Sequence, residues 1–381
     1  MIINDLYDVS IILGNIELLN SGVTSKLNCK IIESVVNSVP TCKITFLSSR
    51  DFLDNFPIVD GVKLTINIKS ENLKINEKYD FRIANVVTVP NGNNMMYSLD
   101  CIIDFYELFR APIKYSMNNN SSEVFKFVAE QNNLSGSIYQ SNDKQLWTPS
   151  ETNLGQWLSY IAMHAWSSPQ SGFYWFMNRT KNFFFIDIDR LIYEANKNIA
   201  KFYYGDLSGD DIDNKIIRYK NIAIKMNSGE ENLFNSGYNG NCEHFDLSSY
   251  TTKITNANKV RAVSEIVNIN KELSQGLGKN FLPFDIGNHH KNFFLAEAQN
   301  RRVLSTFSTY VALTCELFRP VKLSQVCTIR AMSPSQSNGD ISTFNIKYII
   351  NKIIININSS TVNMGVELCS QGYNGKSTES Y

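Results

Sequence analysis

The 381-residue chain has no net charge and none of the common catalytic signatures. Lys plus Arg and Asp plus Glu number 36 each. A dedicated nucleic-acid-binding protein normally carries a basic excess, which this composition lacks. The sequence contains no Gly-x-Ser-x-Gly motif, no phosphate-binding Gly-rich loop ending in Lys-Ser or Lys-Thr, and no His-Glu-x-x-His motif. These absences argue against the common hydrolases and nucleotide-dependent enzymes.

Long apolar runs are also missing. No stretch approaches the ~18 uninterrupted apolar residues of a transmembrane helix. The segment 347–358 is rich in Ile but is broken by Asn351, Lys352 and Asn356. The first twenty residues lack a basic start, and Asn4 interrupts their apolar pattern. That pattern is typical of a strand and not of a signal peptide, so we expect no membrane insertion.

A disulfide framework is not indicated either. The cysteines are odd in number, widely scattered, and mostly set in apolar, strand-like surroundings. This usage predicts buried free thiols in a reducing compartment. The seven are Cys29, Cys42, Cys101, Cys242, Cys315, Cys327 and Cys369.

What the first part of the chain does contain is β-strand alternation. Apolar and polar residues alternate in 43–46, 62–68, 79–84 and 96–102. Turn signals, among them Asp60-Gly61 and the Pro-Asn-Gly-Asn of 90–93, separate these segments. Short strands joined by tight turns predict a small antiparallel barrel or sandwich.

The middle part predicts two helices and an aromatic hairpin. A polar start at Ser121-Ser122-Glu123 opens one helix, and apolar residues between 154 and 165 share a face of the second. Two aromatic strands follow, joined by a polar tip at 178–181. Aromatic residues occupy both faces of these strands, which predicts that another domain or another subunit covers them.

The last part returns to strands after an interruption. Residues 229–288 are rich in Gly, Asn and Ser, so we expect a partly irregular insertion. Residues 292–306 predict a helix with Arg301 and Arg302 near its end. Strand patterns occupy 200–228 and most of the chain from 307 to about 370.

Candidate metal and nucleophile sites are weak. Cys242-Glu243-His244 together with His289-His290 could supply zinc ligands, but the spacing of a structural zinc site is missing. His164 lies on the apolar face of the second helix, so we expect it to be a hydrogen-bonded histidine in the core or at an interface. No cysteine stands in a known nucleophile signature. We therefore predict no catalytic, cofactor-binding or metal site.

Two other functions remain open at this point. Asp187 and Asp189 share a strand face and would allow glycan hydrolysis, while the acidic turn at 210–213 lacks a full calcium loop. Exposed aromatics would allow sugar binding, although aromatics on strands and amphipathic helices are more often core. The aromatic set is Trp157, Trp166, Phe173, Tyr174, Trp175, Phe176, Phe183, Phe184 and Phe185.

The order of segments resembles the baseplate hub protein of contractile phage tails. It is more distantly similar to the N-terminal part of type VI secretion spike proteins. Three stretches carry the resemblance: residues 97–134, which lead from a strand into a Ser-rich helix start; residues 147–191, with Trp-Thr, helix and aromatic hairpin; and residues 301–370, with Arg301-Arg302 and the late strands.

The resemblance implies a β-rich α+β chain with two similar small antiparallel β-barrels, which form a pseudo-sixfold ring in a trimer. The predicted domains are a β-barrel at 1–110, an α+β domain at 111–200, a second β-barrel from 201–228 and 308–372, an insertion with a helix at 229–307, and a flexible tail at 373–381.

The role implied is that of a structural virion protein without enzymatic activity. A homotrimeric hub would link the central spike protein to the tail tube protein, beside other baseplate proteins. DNA or tape-measure protein would pass through its channel without specific binding. The predicted location is the phage tail baseplate, assembled in the bacterial host cytoplasm. A virion carbohydrate- or receptor-binding module and a cell-wall glycan hydrolase are the alternatives.

Overall fold

The computed structural model describes most of the chain, with gaps. The described residues are 2–3, 6–19, 21–35, 37–49, 52, 56, 58–105, 108, 116–149, 153–169, 171–188, 190–191, 199–205, 216–226, 240–246, 250–257, 284–285, 289–300, 309–316, 318–330 and 347–370.

The first third of the described chain consists almost entirely of strands. Alternating side chains point into the core, as the sequence predicted, and Gly61 adopts the positive φ of 85° in the expected Asp60-Gly61 turn. The strands are β1 (Ile2–Ile3), β2 (Tyr7–Leu13), β3 (Ile16–Glu17), β4 (Ser25–Ser34), β5 (Thr41–Ser48), β6 (Lys63–Ser70), β7 (Ile75–Asn91) and β8 (Asn94–Ile103).

The middle third contains both predicted helices and the predicted aromatic hairpin. Asn153 caps the second helix through a capping box with Gln156, which fixes where that helix begins. The elements are β9 (Met117–Asn119), α1 (Ser121–Gln131), β10 (Gly136–Ile138), β11 (Gln145–Trp147), α2 (Leu154–Met163), β12 (Phe173–Met177) and β13 (Phe183–Asp187).

The last third holds a second set of long strands and the insertion. The strands before and after the insertion are β14 (Ala200–Tyr204), β15 (Ile217–Tyr219), β16 (Asn221–Met226), β20 (Thr309–Cys315), β21 (Val326–Arg330), β22 (Tyr348–Asn358) and β23 (Val362–Ser370). Inside the insertion lie β17 (Gly240–Asp246), β18 (Thr251–Ala257), β19 (Phe284–Asp285) and α3 (Phe293–Asn300).

The insertion has more order than the sequence indicated. β17 and β18 form an antiparallel pair, and β19 lies parallel to β17 in a three-stranded sheet. The helix α3 lies within the predicted 292–306, while Arg301 and Arg302 are outside the described residues. The Gly- and Asn-rich composition concealed these strands because it has little apolar alternation.

Strands of both outer thirds belong to one 15-stranded sheet. Its main order is β1-β2-β6-β7-β8-β5-β4-β22-β21-β14-β15, and β23, β20 and β16 continue from β22. The first set comprises β1 to β8, and the second set comprises β14 to β16 and β20 to β23. The two sets meet where β4 pairs antiparallel with β22, with Ile31 opposite Ile355. We call this β4–β22 pair the joint. Both Ile side chains are 1% exposed, so the joint is part of the hydrophobic core.

The two sets share a topology. In the first set the neighbours run β6-β7-β8-β5-β4, and in the second they run β21-β22-β23-β20-β16. Corresponding strands also follow the same order along the chain. The predicted β-rich α+β fold is therefore confirmed, and its two similar strand sets belong to one sheet. The predicted domains and their boundaries stay a prediction.

Three further expectations concern cysteines, membrane helices and the apolar segment 347–358. Six cysteines are free and buried, as predicted, and Cys242 lies in a strand whose side chains are mostly outside the described part. No helix in the described ranges is long and apolar enough to cross a membrane. Residues 348–358 form the strand β22.

Candidate functional site

The aromatic hairpin β12–β13 is part of the hydrophobic core. All five residues of β12 and four of the five in β13 are buried within the single chain. Phe185 stacks on Phe125 of α1 at 4.1 Å between ring centroids and on Phe173 at 4.8 Å. The chain itself therefore covers both faces of the hairpin. The cover that the sequence predicted comes from other parts of the same chain.

The strand β12 touches both strand sets, through its outer edge and through the face opposite Phe185. The Met177 backbone N–H donates to the Ser38 carbonyl oxygen at 2.8 Å, just before β5. The Tyr174 hydroxyl is hydrogen-bonded to the Ser324 hydroxyl at 2.7 Å, just before β21. These contacts place the hairpin across the joint, where it holds both sets together.

The hairpin tip carries a buried ion pair that the sequence did not reveal. Arg179 is 5% exposed and pairs with Glu33 of β4, which is 1% exposed. The Arg179 backbone N–H donates to Glu33 Oε2 at 2.8 Å, and Nη1 donates to Oε1. Glu33 lies opposite Ile353 in the joint, so the pair marks the meeting point of hairpin, first set and second set.

The remaining guanidinium nitrogens are also bonded. Nε donates to the Tyr79 hydroxyl at 3.2 Å, and Nη2 donates to the Val321 carbonyl oxygen at 3.1 Å. Full bonding of this kind is what a buried charge requires, because an unpaired one costs several kcal/mol (~3–5). We call Arg179, Glu33, Tyr79 and Val321 the Arg179 network.

Electrostatics of the network follow from its burial. Desolvation disfavours the charged guanidinium, yet the nearby Glu33 and Tyr79 hold the pKa of Arg179 above its usual value. Burial raises the pKa of Glu33, and Arg179 opposes that rise. The charged groups of this network are bonded to one another and to their neighbours inside the protein, so the arrangement holds the hairpin and the strands in place.

The predicted core histidine, His164, is confirmed as buried and hydrogen-bonded. Its Nδ1 lies 2.7 Å from the Tyr160 carbonyl oxygen, and its Nε2 lies 3.4 Å from Glu297 Oε2 of α3. The His164 ring stacks on the Phe293 ring with 3.9 Å between the centroids, and the His289 ring stacks on the same Phe293 ring at 3.9 Å. We call His164, His289, His290, Phe293 and Glu297 the histidine cluster, and it fastens α3 to α2.

His290 completes this contact in its neutral form. Its Nε2 donates to the His164 carbonyl oxygen at 3.0 Å, while its Nδ1 accepts from the Asn292 backbone N–H at 3.3 Å. Burial lowers the pKa of His290. Among the described residues no group of three or more His, Cys, Asp or Glu side chains is arranged to hold a metal ion.

The other sequence candidates are structural where they are described. Asp187 is buried, and its carboxylate accepts from the Gly172 N–H at 3.0 Å and the Ser167 hydroxyl at 3.0 Å. Eight of the nine aromatics weighed as a sugar-binding set are buried, and the ninth, Phe184, is partly buried. Asp189, the acidic turn at 210–213 and the side chains of Cys242 and His244 lie outside the described residues.

Comparison with known proteins gives similarity at the level of fold. No family model matches the sequence, and no curated protein is similar to it in sequence. The tail protein from Neisseria meningitidis MC58 superposes with a TM-score of 0.57 at 8% identity, over 96% of each chain. The 43 kDa tail protein of prophage MuSo2 from Shewanella oneidensis has a TM-score of 0.57 at 10% identity, over 96% of this chain and 98% of that one.

A weaker likeness involves the Francisella PdpA–VgrG complex in its half-lidded form. Its TM-score is 0.48 at 10% identity, over 96% of this chain and 58% of that one. The similarities to the two tail proteins extend over nearly the full length of both chains compared, so they concern the whole architecture. The chain therefore has the fold of phage tail proteins, as the order of its segments predicted.

Proposed function

We propose that this chain is a structural subunit of a phage-type tail and acts as its baseplate hub. The observation that carries the proposal is the fold shared with two tail proteins over nearly the whole of each chain. Within that fold, two similar strand sets stand side by side in one sheet. Three copies would supply six such sets around a central axis.

A hub of this kind adapts symmetry. A threefold spike protein meets the three chains, and a sixfold tail tube protein meets the six strand sets. DNA or tape-measure protein passes along the axis without specific binding, which a chain of zero net charge supports. The proposed location is the tail of the virion, after assembly in the host cytoplasm.

The proposal assigns no enzymatic activity to the chain. The described part supports this assignment through the Arg179 network and Asp187, whose hydrogen-bonding groups are taken up inside the protein. The alternatives of sugar binding and glycan hydrolysis have no comparable support, because their candidate residues are mainly core or lie outside the described residues.

The test is the solution mass of the purified chain, measured by light scattering on a sizing column. The chain is run alone and with the product of its neighbouring gene. A mass of three chains, alone or with that partner, is the expected result. A monomer under both conditions would contradict the hub proposal, and glycan-binding and wall-lysis assays on the same sample would then test the alternatives.

A further inference from the structure

The longest hairpins of the two strand sets have the same irregularity. The pairing of β7 with β8 shifts between Ile83 and Asn85, and the pairing of β22 with β23 shifts between Ile350 and Lys352. Each shift is a one-residue β-bulge. After it, β7 continues for seven paired residues to its turn and β22 for six, and the Asn358 backbone N–H then donates to the Thr361 carbonyl oxygen across the second turn. Residues 85–91 of β7 therefore correspond to residues 352–358 of β22.

These corresponding segments differ in their neighbours. Residues 352–358 are flanked by β23 on one side and by β4 on the other. Residues 85–91 have β8 on one side, whereas pairing with β6 ends at Arg82 and no other described strand pairs with them. Val87 is 45% exposed and Val89 is 44% exposed. This open edge carries no charged side chain, so its backbone N–H and C=O groups are available for pairing with another strand, and Pro90 is the one residue in it that lacks a donor.

The strand that corresponds to β4 in the second set is β16. β4 pairs with β5, and β16 pairs with β20 in the matching register. Ile224 of β16 therefore corresponds to Ile31 of β4. Ile31 is 1% exposed because the joint covers it, but Ile224 is 40% exposed. In the described part of the sheet, β16 has a strand neighbour on one side only.

From this internal correspondence we infer that β16 of one copy pairs antiparallel with residues 85–91 of β7 in a second copy. This contact between two chains has the same pairing as the joint, which β4 and β22 form within one chain. The register follows from the joint: Val86 lies opposite Met226, Val87 opposite Lys225, Thr88 opposite Ile224, Val89 opposite Ala223, Pro90 opposite Ile222 and Asn91 opposite Asn221.

The two edges lie at different places of one sheet, with six strands between them. Pairing one edge with the other kind of edge is a head-to-tail contact, so successive copies do not stop at a dimer. They form a closed ring when the rotation between copies closes and an open filament when it does not. The number of copies in that ring rests on the proposed function. Pro90 lacks an N–H, so its pairing with Ile222 forms one hydrogen bond fewer than the corresponding pairing of Ile357 with Cys29 in the joint.

The contact is tested by cysteine cross-linking in the full chain with Cys242→Ser. Val89→Cys and Ala223→Cys place two thiols at directly opposed positions, within disulfide range in the inferred register. The matched control combines Val87→Cys with Asn221→Cys, which lie on the same face but four residues out of register. The six described native thiols are buried and do not compete. After diamide oxidation, non-reducing gels separate the linked chains.

Each outcome decides between the contact and the hub. Linked multimers from the first pair and little linkage from the control are the expected result. A trimer in light scattering without linkage overturns the edge contact and leaves the hub proposal intact. Linked multimers of another size support the edge contact and overturn the hub. A monomer without linkage, with and without the neighbouring gene product, overturns both.

A second variant tests the same contact without engineered thiols. Ile224→Lys places a charge on the open edge, so we expect loss of the assembled mass while the circular dichroism spectrum and melting temperature stay close to those of the parent chain. Leu146→Lys, at another exposed apolar position, should keep the assembled mass. Equal behaviour of the two variants would overturn the edge contact.

Discussion

At the residue scale, the Arg179 network shows what sequence patterns do not carry. Arg179 stands at the tip of a hairpin, between Asn178 and Thr180, where polar residues are typical of solvent exposure. Its partner Glu33 lies 146 residues away in the chain. No local pattern links the two positions, since their proximity depends on how the hairpin docks on the sheet. The burial of this Arg was therefore not predictable from the sequence.

Removing the positive charge should destabilise the fold strongly. Arg179→Met leaves the Glu33 carboxylate buried without its partner, and we expect a loss of about 3–5 kcal/mol in the free energy of unfolding. Urea unfolding followed by circular dichroism measures this loss. Arg82→Gln breaks an exposed pair with Asp104 and should cost about 1 kcal/mol or less. Equal losses in the two variants would contradict the assigned role of the network.

The histidine cluster should make the docking of α3 sensitive to acid. Asp143 and Glu297 are the acidic groups near His290 and His164. His289 stacks on the Phe293 ring, which also contacts both of these histidines. The pKa of His290 is lowered in the folded chain, so the unfolded chain takes up the proton first as the pH falls. Stability from this group is complete above the ordinary pKa of about 6.5 and declines below it.

The measurement is the melting temperature at about pH 7.5 and about pH 5.5, a range that spans the ordinary titration of histidine. His290→Gln should reduce the drop on acidification, because the side chain no longer gains a proton that breaks the bond from the Asn292 N–H. His289→Gln serves as the control. An unchanged drop in His290→Gln would show that other groups govern the acid response.

At the element scale, periodicity predicted most of what the structure shows. Both central helices, the aromatic hairpin and the long strands follow from spacing of 3.6 or 2 residues, which is a local property. The strands β17 and β18 were missed because their polar composition hides alternation. The joint was missed for a different reason: the pairing of β4 with β22 joins segments at opposite ends of the chain.

The aromatic hairpin should contribute stability through both of its faces within one chain. Phe185→Ala removes the stack on Phe125, and Phe176→Ala removes the stack on Phe184 at 4.8 Å. Each should cost about 3–5 kcal/mol, as large-to-small core changes do. The urea midpoint should fall by the same amount in dilute and concentrated solution.

Tyr204→Ala, at a side chain 51% exposed, is the control and should change the midpoint little. A loss in Phe176→Ala that appears only at high protein concentration would mean that a second subunit covers that face.

At the scale of the whole molecule, the joint connects the two strand sets through buried side chains, so we expect the sets to unfold as one cooperative unit. Ile31→Asn places a polar amide in the joint, and we expect at least ~3 kcal/mol of destabilisation. Hydrogen exchange read by mass spectrometry should accelerate in β5 and in β20 alike. Ile224→Asn changes the corresponding exposed position and should accelerate neither. Faster exchange confined to β5 would show that the sets open independently.

The two strand sets differ in the length of one connection, which in the second set contains the insertion. The short connection 35–40 joins β4 to β5, but residues 227–308 join the corresponding β16 to β20. A ring of identical single-set subunits would repeat such a segment at every place, where neighbouring copies would crowd one another. In the proposed ring, a two-set chain carries this segment at every second set only, so each copy of the segment has free space beside it. The two sets of one chain can also differ in sequence independently of each other.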